Sequence, residues 1–312
     1  MIEVAIMIEG QNGLTWPRWQ RIVRTVEDAG FVGLYRSDHY TNANPPDIES
    51  LELWVSLTWL ADHTTRIAFG PLVSPVSFRQ PTMTARMAAA VDDLSGGRLV
   101  LGLGAGWQER EHTNYGWDLL DVPQRFDRFE EGLHIITALL QDEAPLTFTG
   151  KYYRVQDAVL LPRPARPGGP PILIGGNGTA RTLLLVARFA SEWNAVFQPP
   201  ERVKELNAHL DSLLDAQGRQ RESVRRSIMT GCVFGRDSAD LARKLATHPW
   251  WAQRPDFDPK TRGIVVGTPG EIVDHLGRLA EAGVQRVMLQ WLDLDDIDGL
   301  EALAATVLPQ LR

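Results

Sequence analysis

Short apolar runs alternate with longer amphipathic stretches along most of this chain. The apolar runs are about four to eight residues long and rich in Val, Ile, Leu and Phe, which is typical of buried strands. We predict eight strands, at residues 3–8, 31–36, 66–69, 98–103, 171–174, 193–196, 227–234 and 286–290.

Between the strands, apolar residues recur at the spacing of a helix with one buried face. The predicted helices are residues 16–29, 50–61, 82–94, 125–140, 180–190, 202–217, 238–246, 271–282 and 297–308. Strands that alternate with helices predict βαβ units and a parallel sheet. Eight such units in 312 residues favour an α/β fold of the (β/α)8 TIM barrel type over an open, doubly wound sheet.

Three segments do not fit the simple repeat and are predicted as insertions at the carboxyl-terminal face of the strands. They are a long loop, a hairpin with a proline-rich tail and a second loop, at residues 105–121, 144–169 and 248–266. The last carries Trp250, Trp251 and Phe257. Long loops inside a domain are usually functional or disordered, and the aromatic residues favour function. No linker divides the chain, so we expect residues 1–312 to form a single barrel domain.

Composition excludes several classes of partner. The formal net charge is −7, which argues against a nucleic-acid-binding surface, since that would need a basic stripe. A single cysteine, Cys232, allows no intramolecular disulfide and suits a reducing cytosol. The amino-terminal residues lack the pattern of a secretory signal, and no window approaches the roughly 18 apolar residues of a membrane span. We therefore expect a cytoplasmic protein that binds neither membrane nor nucleic acid.

In a barrel of this kind, ligands bind where the strands end. Ser37, Asp38 and His39 follow the second predicted strand. A histidine at this place can take up and release a proton near neutral pH. The alternative is a capping aspartate beside a structural histidine.

Two glycine runs also follow strands. Gly102, Gly104 and Gly106 follow the fourth strand, where the lack of a Cβ allows the backbone to approach a flat or anionic ligand. Residues 175–179 follow the fifth strand and open a helix, whose free N–H groups and dipole suit a phosphate, with Arg181 in reach. A tight turn without a ligand would explain either run as well.

Other kinds of chemistry find no support in the sequence. The remaining histidines show no metal-binding spacing, so we expect no metal. No G-x-S-x-G motif occurs, and Cys232 is interpreted as a small buried residue, which argues against nucleophilic catalysis. The first glycine run is not followed directly by a helix, so it fails as a dinucleotide-binding fingerprint. His112 lies in the loop after the fourth strand and could reach the barrel mouth.

Taken together, these residues resemble the luciferase-like monooxygenase superfamily, and within it the oxidoreductases that use the deazaflavin coenzyme F420. The segments that carry the resemblance are residues 37–39, 102–116, 125–131, 150–164, 171–178 and 192–194. The resemblance implies a (β/α)8 barrel, usually a homodimer, that binds a flavin-type ring at the ends of the strands.

The resemblance also implies roles by position. Asp38 and His39 match the pair that contacts the deazaflavin ring, with His39 as the catalytic acid or base. The segment Pro71, Leu72 and Val73 matches the support behind the ring, where the family often has a non-proline cis peptide; we place that bond between Pro71 and Leu72. The remaining implied cofactor contacts are Ala105, Gly106 and Trp107 beside the ring and ribityl chain, with His112 from the same loop, and Gly176, Asn177 and Gly178 at the phosphate.

The leading hypothesis is therefore an oxidoreductase that transfers a hydride between F420 and a small organic substrate. An FMN-dependent monooxygenase on the same barrel stays open, as does a non-catalytic, ligand-binding barrel. No lysine cluster for a sugar phosphate can be placed, so that substrate is not supported. Four tryptophans could line an apolar pocket, although each could equally belong to the core: Trp107, Trp250, Trp251 and Trp291.

The second predicted helix is unusually apolar. It carries Leu51, Leu53, Trp54, Leu57, Trp59 and Leu60. We expect that one helix face cannot bury all of these against a barrel, which predicts a homodimer interface.

Overall fold

Eight parallel strands form the wall of a barrel in the computed structural model, which describes residues 2–248 and 258–311. In chain order the strands are β1 (Glu3–Ile8), β2 (Gly33–Arg36), β3 (Ala68–Pro71), β4 (Ser74–Pro75), β5 (Leu101–Gly104), β6 (Leu146–Thr149), β7 (Arg154–Ala158), β8 (Ile172–Gly175), β9 (Glu192–Val196), β10 (Arg225–Phe234), β11 (Val265–Gly267) and β12 (Arg286–Gln290). The wall runs in the order β3, β2, β1, β12, β10, β9, β8, β5. Strand β4 continues the line of β3 and pairs with β5.

Backbone hydrogen bonds close the ring between its two ends. Phe69 N in β3 donates to Arg98 O at 3.1 Å, and Val100 N donates to Phe69 O at 2.8 Å. The strands nearest in space are thus also neighbours along the chain, except where the first meets the last, as a (β/α)8 barrel requires. The predicted barrel is confirmed.

Side chains of the wall strands alternate between the barrel axis and the surrounding helices, because successive Cβ atoms of a strand point to opposite faces. One buried cluster lies inside the wall and includes Ala5, Met7, Tyr35, Leu173 and Met288. A second, larger cluster lies between the wall and the helices and includes Val4, Ile6, Ile8, Leu34 and Leu289.

The helices pack around the outside of the wall, except for the fourth, which lies at the barrel mouth. They are α1 (Trp16–Ala29), α2 (Leu53–His63), α3 (Pro81–Leu94), α4 (Glu109–Tyr115), α5 (Val122–Gln141), α6 (Thr182–Phe189), α7 (Pro200–Ala216), α8 (Ser238–Thr247), α9 (Pro269–Glu281) and α10 (Ile297–Val307). Single 3-10 turns lie at Arg221–Ser223, Pro259–Arg262 and Leu308–Leu311.

Helix α1 shows how the sequence pattern produces this layer. Its buried residues recur every three or four positions: Trp19, Ile22, Val23 and Val26. Burying each apolar side chain of this size contributes about 1.5–3 kcal/mol relative to leaving it exposed. The helix stops at Gly30, whose φ of 94° is left-handed and suits glycine.

The three predicted insertions differ in outcome. Residues 105–121 were expected to be a loop, but they contain α4, which Gly116 ends in a left-handed conformation. Residues 144–169 contain the expected hairpin, which is formed by β6 and β7. The backbone N–H of Gly150 donates to Tyr153 O and closes the turn, so β7 begins only at Arg154. In residues 248–266, the expectation of a continuous loop is wrong at its end, where β11 pairs in parallel with β10. Trp250, Trp251 and Phe257 lie outside the described residues.

Helix α2 is buried within the chain more fully than expected. Leu53, Trp54, Leu57 and Leu60 are all buried, because α2 packs on α3 as well as on the wall, whereas Leu51 and Trp59 are half-buried. The four buried residues therefore need no partner chain. Val55 of the same helix is 57% exposed, so the homodimer stays a prediction that must rest on other residues.

In the described parts of the chain, the helices are too short or too polar to cross a lipid bilayer.

Candidate active site at the barrel mouth

The third wall strand leaves the barrel at a cis peptide bond. Leu72 N still donates to Arg36 O of β2 at 2.8 Å, and the cis bond follows, between Leu72 and Val73. The prediction that it joins Pro71 to Leu72 is wrong by one position. The reason is that Leu72 remains paired with β2, so the chain departs from the wall only after it.

The side chain of Val73 lies against glycines that face the barrel axis. A Cβ on Gly104 would lie 2.7 Å from Val73 Cγ2, and one on Gly175 would lie 3.2 Å from Val73 Cγ1. A Cβ on Gly102 would lie 2.1 Å from the carbonyl oxygen of Pro71. We call residues 72–73, where the chain leaves the wall, the bulge. Side chains at these glycine positions would push the bulge outward. The first glycine run therefore makes room for the bulge.

His39 pairs with a buried carboxylate at the mouth. Its Nδ1 lies 2.7 Å from Oε1 of Glu111, and the backbone N–H of Tyr40 donates to Oε2 of the same carboxylate at 3.1 Å. The side chain of Glu111 is 1% exposed, whereas that of His39 is 15% exposed. A carboxylate only accepts hydrogen bonds, so Nδ1 carries the hydrogen. No described residue hydrogen-bonds the other ring nitrogen, Nε2, which is left for a ligand.

The surroundings of His39 favour its charged form. Burial alone would lower its pKa, but the hydrogen bond and the charge of Glu111 oppose this, with further help from the charges of Glu9 and Asp38. The net effect raises the pKa of His39 above its usual value of about 6.5. His39 is therefore suited to hold a proton near neutral pH and to exchange it at Nε2.

Residues at the beginning of α4 connect the end of the first glycine run to the segment that carries His39. Gln108 Nε2 donates to Thr41 O at 3.1 Å, and Thr41 Oγ1 donates to Gln108 Oε1 at 3.0 Å. Trp107, 62% exposed, meets the His39 ring edge-on at 5.6 Å between centroids. Gly106 has a left-handed φ of 86°, which turns the chain from β5 into this segment.

Asp38 is buried and fully engaged with protein groups. Ser74 Oγ donates to its Oδ2 at 2.7 Å, and Arg79 forms an ion pair with the same carboxylate. Arg79 also donates to Tyr40 OH at 2.9 Å and to Glu52 Oε1 at 2.7 Å. Asp38 therefore fixes the segment after β2 to the bulge, and its direct contact with a ring stays a prediction.

His112 lies beneath the mouth, with both ring nitrogens occupied by the protein. Nδ1 lies 2.6 Å from Gln108 O and Nε2 lies 2.7 Å from Ser77 Oγ. A carbonyl only accepts, so Nδ1 donates and the neutral Nε2 accepts from the serine. Burial lowers the pKa of His112. These contacts give His112 a positioning role in holding α4, and a contact with a cofactor stays a prediction.

The second glycine run is anchored to the next strand. Asn177 Nδ2 donates to Val196 O at 2.7 Å, and Val196 N donates to Asn177 Oδ1 at 2.9 Å. Trp193 Nε1 donates to Gly176 O at 2.8 Å. Gly176 has φ of 125°, which side-chain-bearing residues rarely adopt, and a Cβ on Gly178 would lie 2.9 Å from Thr182 Oγ1. The Asn177 side chain thus shapes the loop instead of pointing from it.

The loop leads into α6 with its donors unused. Arg181 precedes the helix and supplies no side-chain cap; it forms an ion pair with Asp127 instead. Within the described residues, no acceptor is found for the backbone N–H groups of Gly178, Thr179 and Ala180. Free N–H groups at a helix start bind anions, and the helix dipole adds to the attraction. The arrangement fits a phosphate.

Sequence reasoning missed several residues at the mouth. Glu111 was missed because its segment was interpreted as a loop, whereas it lies in the short helix α4. Arg79 and Gln108 act through partners distant in the chain, which no local pattern indicates. Trp291 is 4% exposed, lies under the Lys244 ammonium and lines a cavity of about 580 Å³ together with Phe234 and Thr247.

The described residues contain no group of three or more histidine, cysteine, aspartate or glutamate side chains that could hold a metal ion. Cys232 is half-buried, and the desolvation of its thiol raises its pKa to about 12, which makes it a poor nucleophile.

Comparisons with known proteins find relatives that match most of the chain. The sequence model of the family described as luciferase-like monooxygenase matches residues 3–264. The chain is 30% identical over 317 residues to an F420-dependent glucose-6-phosphate dehydrogenase of Kineococcus radiotolerans, covering 92% of this chain and 90% of the relative. It is 25% identical over 317 residues to 4-hydroxyprotoasukamycin monooxygenase of Streptomyces nodosus subsp. asukaensis, covering 93% of this chain and 84% of that relative.

The fold is also found among solved structures. The structure of an F420-dependent secondary alcohol dehydrogenase in complex with an F420-acetone adduct superposes with a TM-score of 0.85 at 17% identity. The superposition covers 100% of this chain and 99% of that one.

Proposed function

The chain belongs to the luciferase-like monooxygenase family, and on that premise we propose that it is an oxidoreductase that transfers a hydride between coenzyme F420 and a small organic substrate. The observation that carries the proposal is the pairing of His39 with the buried Glu111, which leaves Nε2 of His39 for a substrate. The relatives named for F420 support the choice of cofactor.

The residues at the mouth fit such a cofactor. The unused N–H groups of Gly178, Thr179 and Ala180 would hold its phosphate. The bulge at Val73 would support one face of its ring, and Ala105, Gly106 and Trp107 would lie along its edge. F420 would supply the hydride transfer, and the protein supplies position and proton transfer.

His39 would move the proton that accompanies the hydride. In the oxidation of an alcohol, Nε2 accepts the hydroxyl proton; in the reverse direction, it returns the proton to the carbonyl oxygen. Glu111 holds Nδ1–H throughout and compensates the positive charge of the imidazolium. A buried carboxylate in this role keeps the ring oriented, since its other oxygen is fixed by the N–H of Tyr40.

A flavin-dependent monooxygenase is the second candidate, favoured by the relative from Streptomyces nodosus subsp. asukaensis. The same bulge and phosphate loop would accept FMN. We do not favour a non-catalytic barrel, because it would give the His39–Glu111 pair no role in proton transfer. A small-molecule substrate, a homodimer and a cytoplasmic location complete the proposal.

Titration of the cofactor-free protein with F420 and with FMN, side by side, tests the proposal. We expect F420 to bind more tightly, and the reduced complex to consume no oxygen. Tighter binding of FMN together with substrate-dependent oxygen consumption would support the monooxygenase instead. Binding of neither cofactor would contradict both.

A further inference from the structure

Gln290 presents a buried hydrogen-bond acceptor at the barrel mouth that no described residue pairs with. It is the last residue of β12, and the strand alternation that puts Met288 inside the wall puts Gln290 on the axis side as well. The residue is 2% exposed. Its Nε2 donates to Glu9 Oε1 at 2.5 Å, while its Oε1 has no hydrogen-bond partner among the described residues.

The orientation of this amide is fixed by its neighbour. Glu9 accepts from Gln290 Nε2 on one oxygen and from Gln11 Nε2, at 2.9 Å, on the other. Rotating the Gln290 amide by half a turn would set its oxygen against the Glu9 carboxylate, and both are acceptors. The free Oε1 must therefore point away from Glu9. A buried acceptor without a donor is unfavourable, so a bound group should satisfy it.

The unpaired acceptor shares the mouth with the reacting histidine. Glu9 links the two, because its negative charge helps to raise the pKa of His39. In the order of the wall strands, β12 lies across the barrel from β5, where Gly104 makes room for Val73. A ring supported by Val73 would thus leave its opposite face toward Gln290 at the end of β12 and toward Glu9, which follows the neighbouring strand β1.

From this we infer that Gln290 and Glu9 form a subsite that accepts a hydrogen bond from a hydroxyl or N–H of the substrate, next to the group that reacts at His39. Gln290 is then a specificity-determining residue that rejects molecules without a donor at this point. The identity of the bound group as substrate rests on the proposed function; the hydrogen-bonding chemistry of the subsite does not.

Ligand-observed NMR with two probes tests the subsite without requiring turnover. The probes are cyclohexane-1,2-diol and its mono-O-methyl ether, which differ by one donor hydrogen; adjacent hydroxyls allow one to reach His39 and the other Gln290. Binding is measured to the F420-loaded and to the cofactor-free protein. We expect the diol to bind the loaded protein about tenfold or more tightly than the ether, since sites built around a hydrogen bond discriminate strongly against its loss.

Two matched variants locate the effect. Gln290→Met removes the donor to Glu9 and the free acceptor, whereas Gln11→Met removes a donor to Glu9 but no free acceptor. We expect the preference for the diol to vanish in Gln290→Met and to persist in Gln11→Met.

Retention of the preference in Gln290→Met would overturn the inference, as would equal binding, or no binding, of the two probes by the folded parent protein. Loss of the preference in both variants would assign it to Glu9 alone and would also overturn the role of Gln290. Discrimination between the probes by a protein that never reduces F420 would leave the subsite standing and count against the proposed function.

Discussion

Nδ1 of His39 lies 2.7 Å from Oε1 of Glu111, although 72 residues separate the two along the chain. The contact joins the segment after β2 to helix α4, and it places a buried negative charge behind the ring. It accounts for two properties at once, the fixed tautomer of His39 and its raised pKa.

Glu111→Gln is expected to lower the pKa of His39, because an amide can accept the Nδ1 hydrogen bond but carries no charge. An NMR titration of the ring protons measures this directly. Glu109→Gln, an exposed position on the same helix, is the control and should leave the pKa unchanged. An unchanged pKa in Glu111→Gln would show that the carboxylate does not tune the histidine.

The same pair predicts a pH dependence of stability. A pKa raised on folding contributes stability below the unfolded pKa, about 6.5, and that contribution is lost as the pH rises through the folded pKa. The difference in Tm between the parent protein and Glu111→Gln should therefore be larger at pH 6 than at pH 9. Thermal unfolding at the two pH values measures how this difference in Tm changes with pH. A difference in Tm that increases from pH 6 to pH 9 would contradict the prediction.

Gly176→Ala should weaken F420 binding by about tenfold or more, because its φ of 125° is strained for any side chain and the phosphate loop must shift. Gly218→Ala is the control: its φ is 65°, and apart from its chain neighbours no described residue lies within 4 Å of the added Cβ. That variant should lose a little stability and keep its affinity. Equal F420 affinities in the two folded variants would show that the phosphate of F420 does not bind at this loop.

Gly104→Ala should destabilise the protein by about 1–3 kcal/mol, because the new methyl group would lie 2.7 Å from Val73 Cγ2. Adding Val73→Ala should recover much of that loss. Gly277→Ala, where the added Cβ meets no atom within 4 Å, should be neutral or stabilising. The free energy of unfolding is measured with denaturant for the parent protein, Gly104→Ala, Val73→Ala and the double variant, which form a double-mutant cycle. Additive effects of the two substitutions would show that the side chain of Val73 does not pack against Gly104.

The sequence was a good guide to the wall, because each strand buries a short apolar run and each helix buries one face. The residues at the mouth were predictable where a segment follows a strand directly, as at His39 and the loop at Gly176, although their roles stay predictions. Glu111 was not predicted as a site residue, because α4 is short and lies in a segment without strong apolar periodicity. The cis bond was misplaced by one residue, since the pairing of Leu72 with β2 is a matter of register that the sequence does not reveal.

If His39 carries the proton in an F420-dependent hydride transfer, its loss must slow turnover, and steady-state kinetics of His39→Ala measure this. F420 reduction with a panel of small alcohols is followed by visible absorbance, and the F420 Kd is measured in parallel. We expect kcat to fall by roughly 10²–10⁴-fold with the Kd within about tenfold of the parent value, because acid–base assistance is lost while the phosphate loop and ring pocket remain. Near-normal turnover by a folded His39→Ala protein would contradict the account.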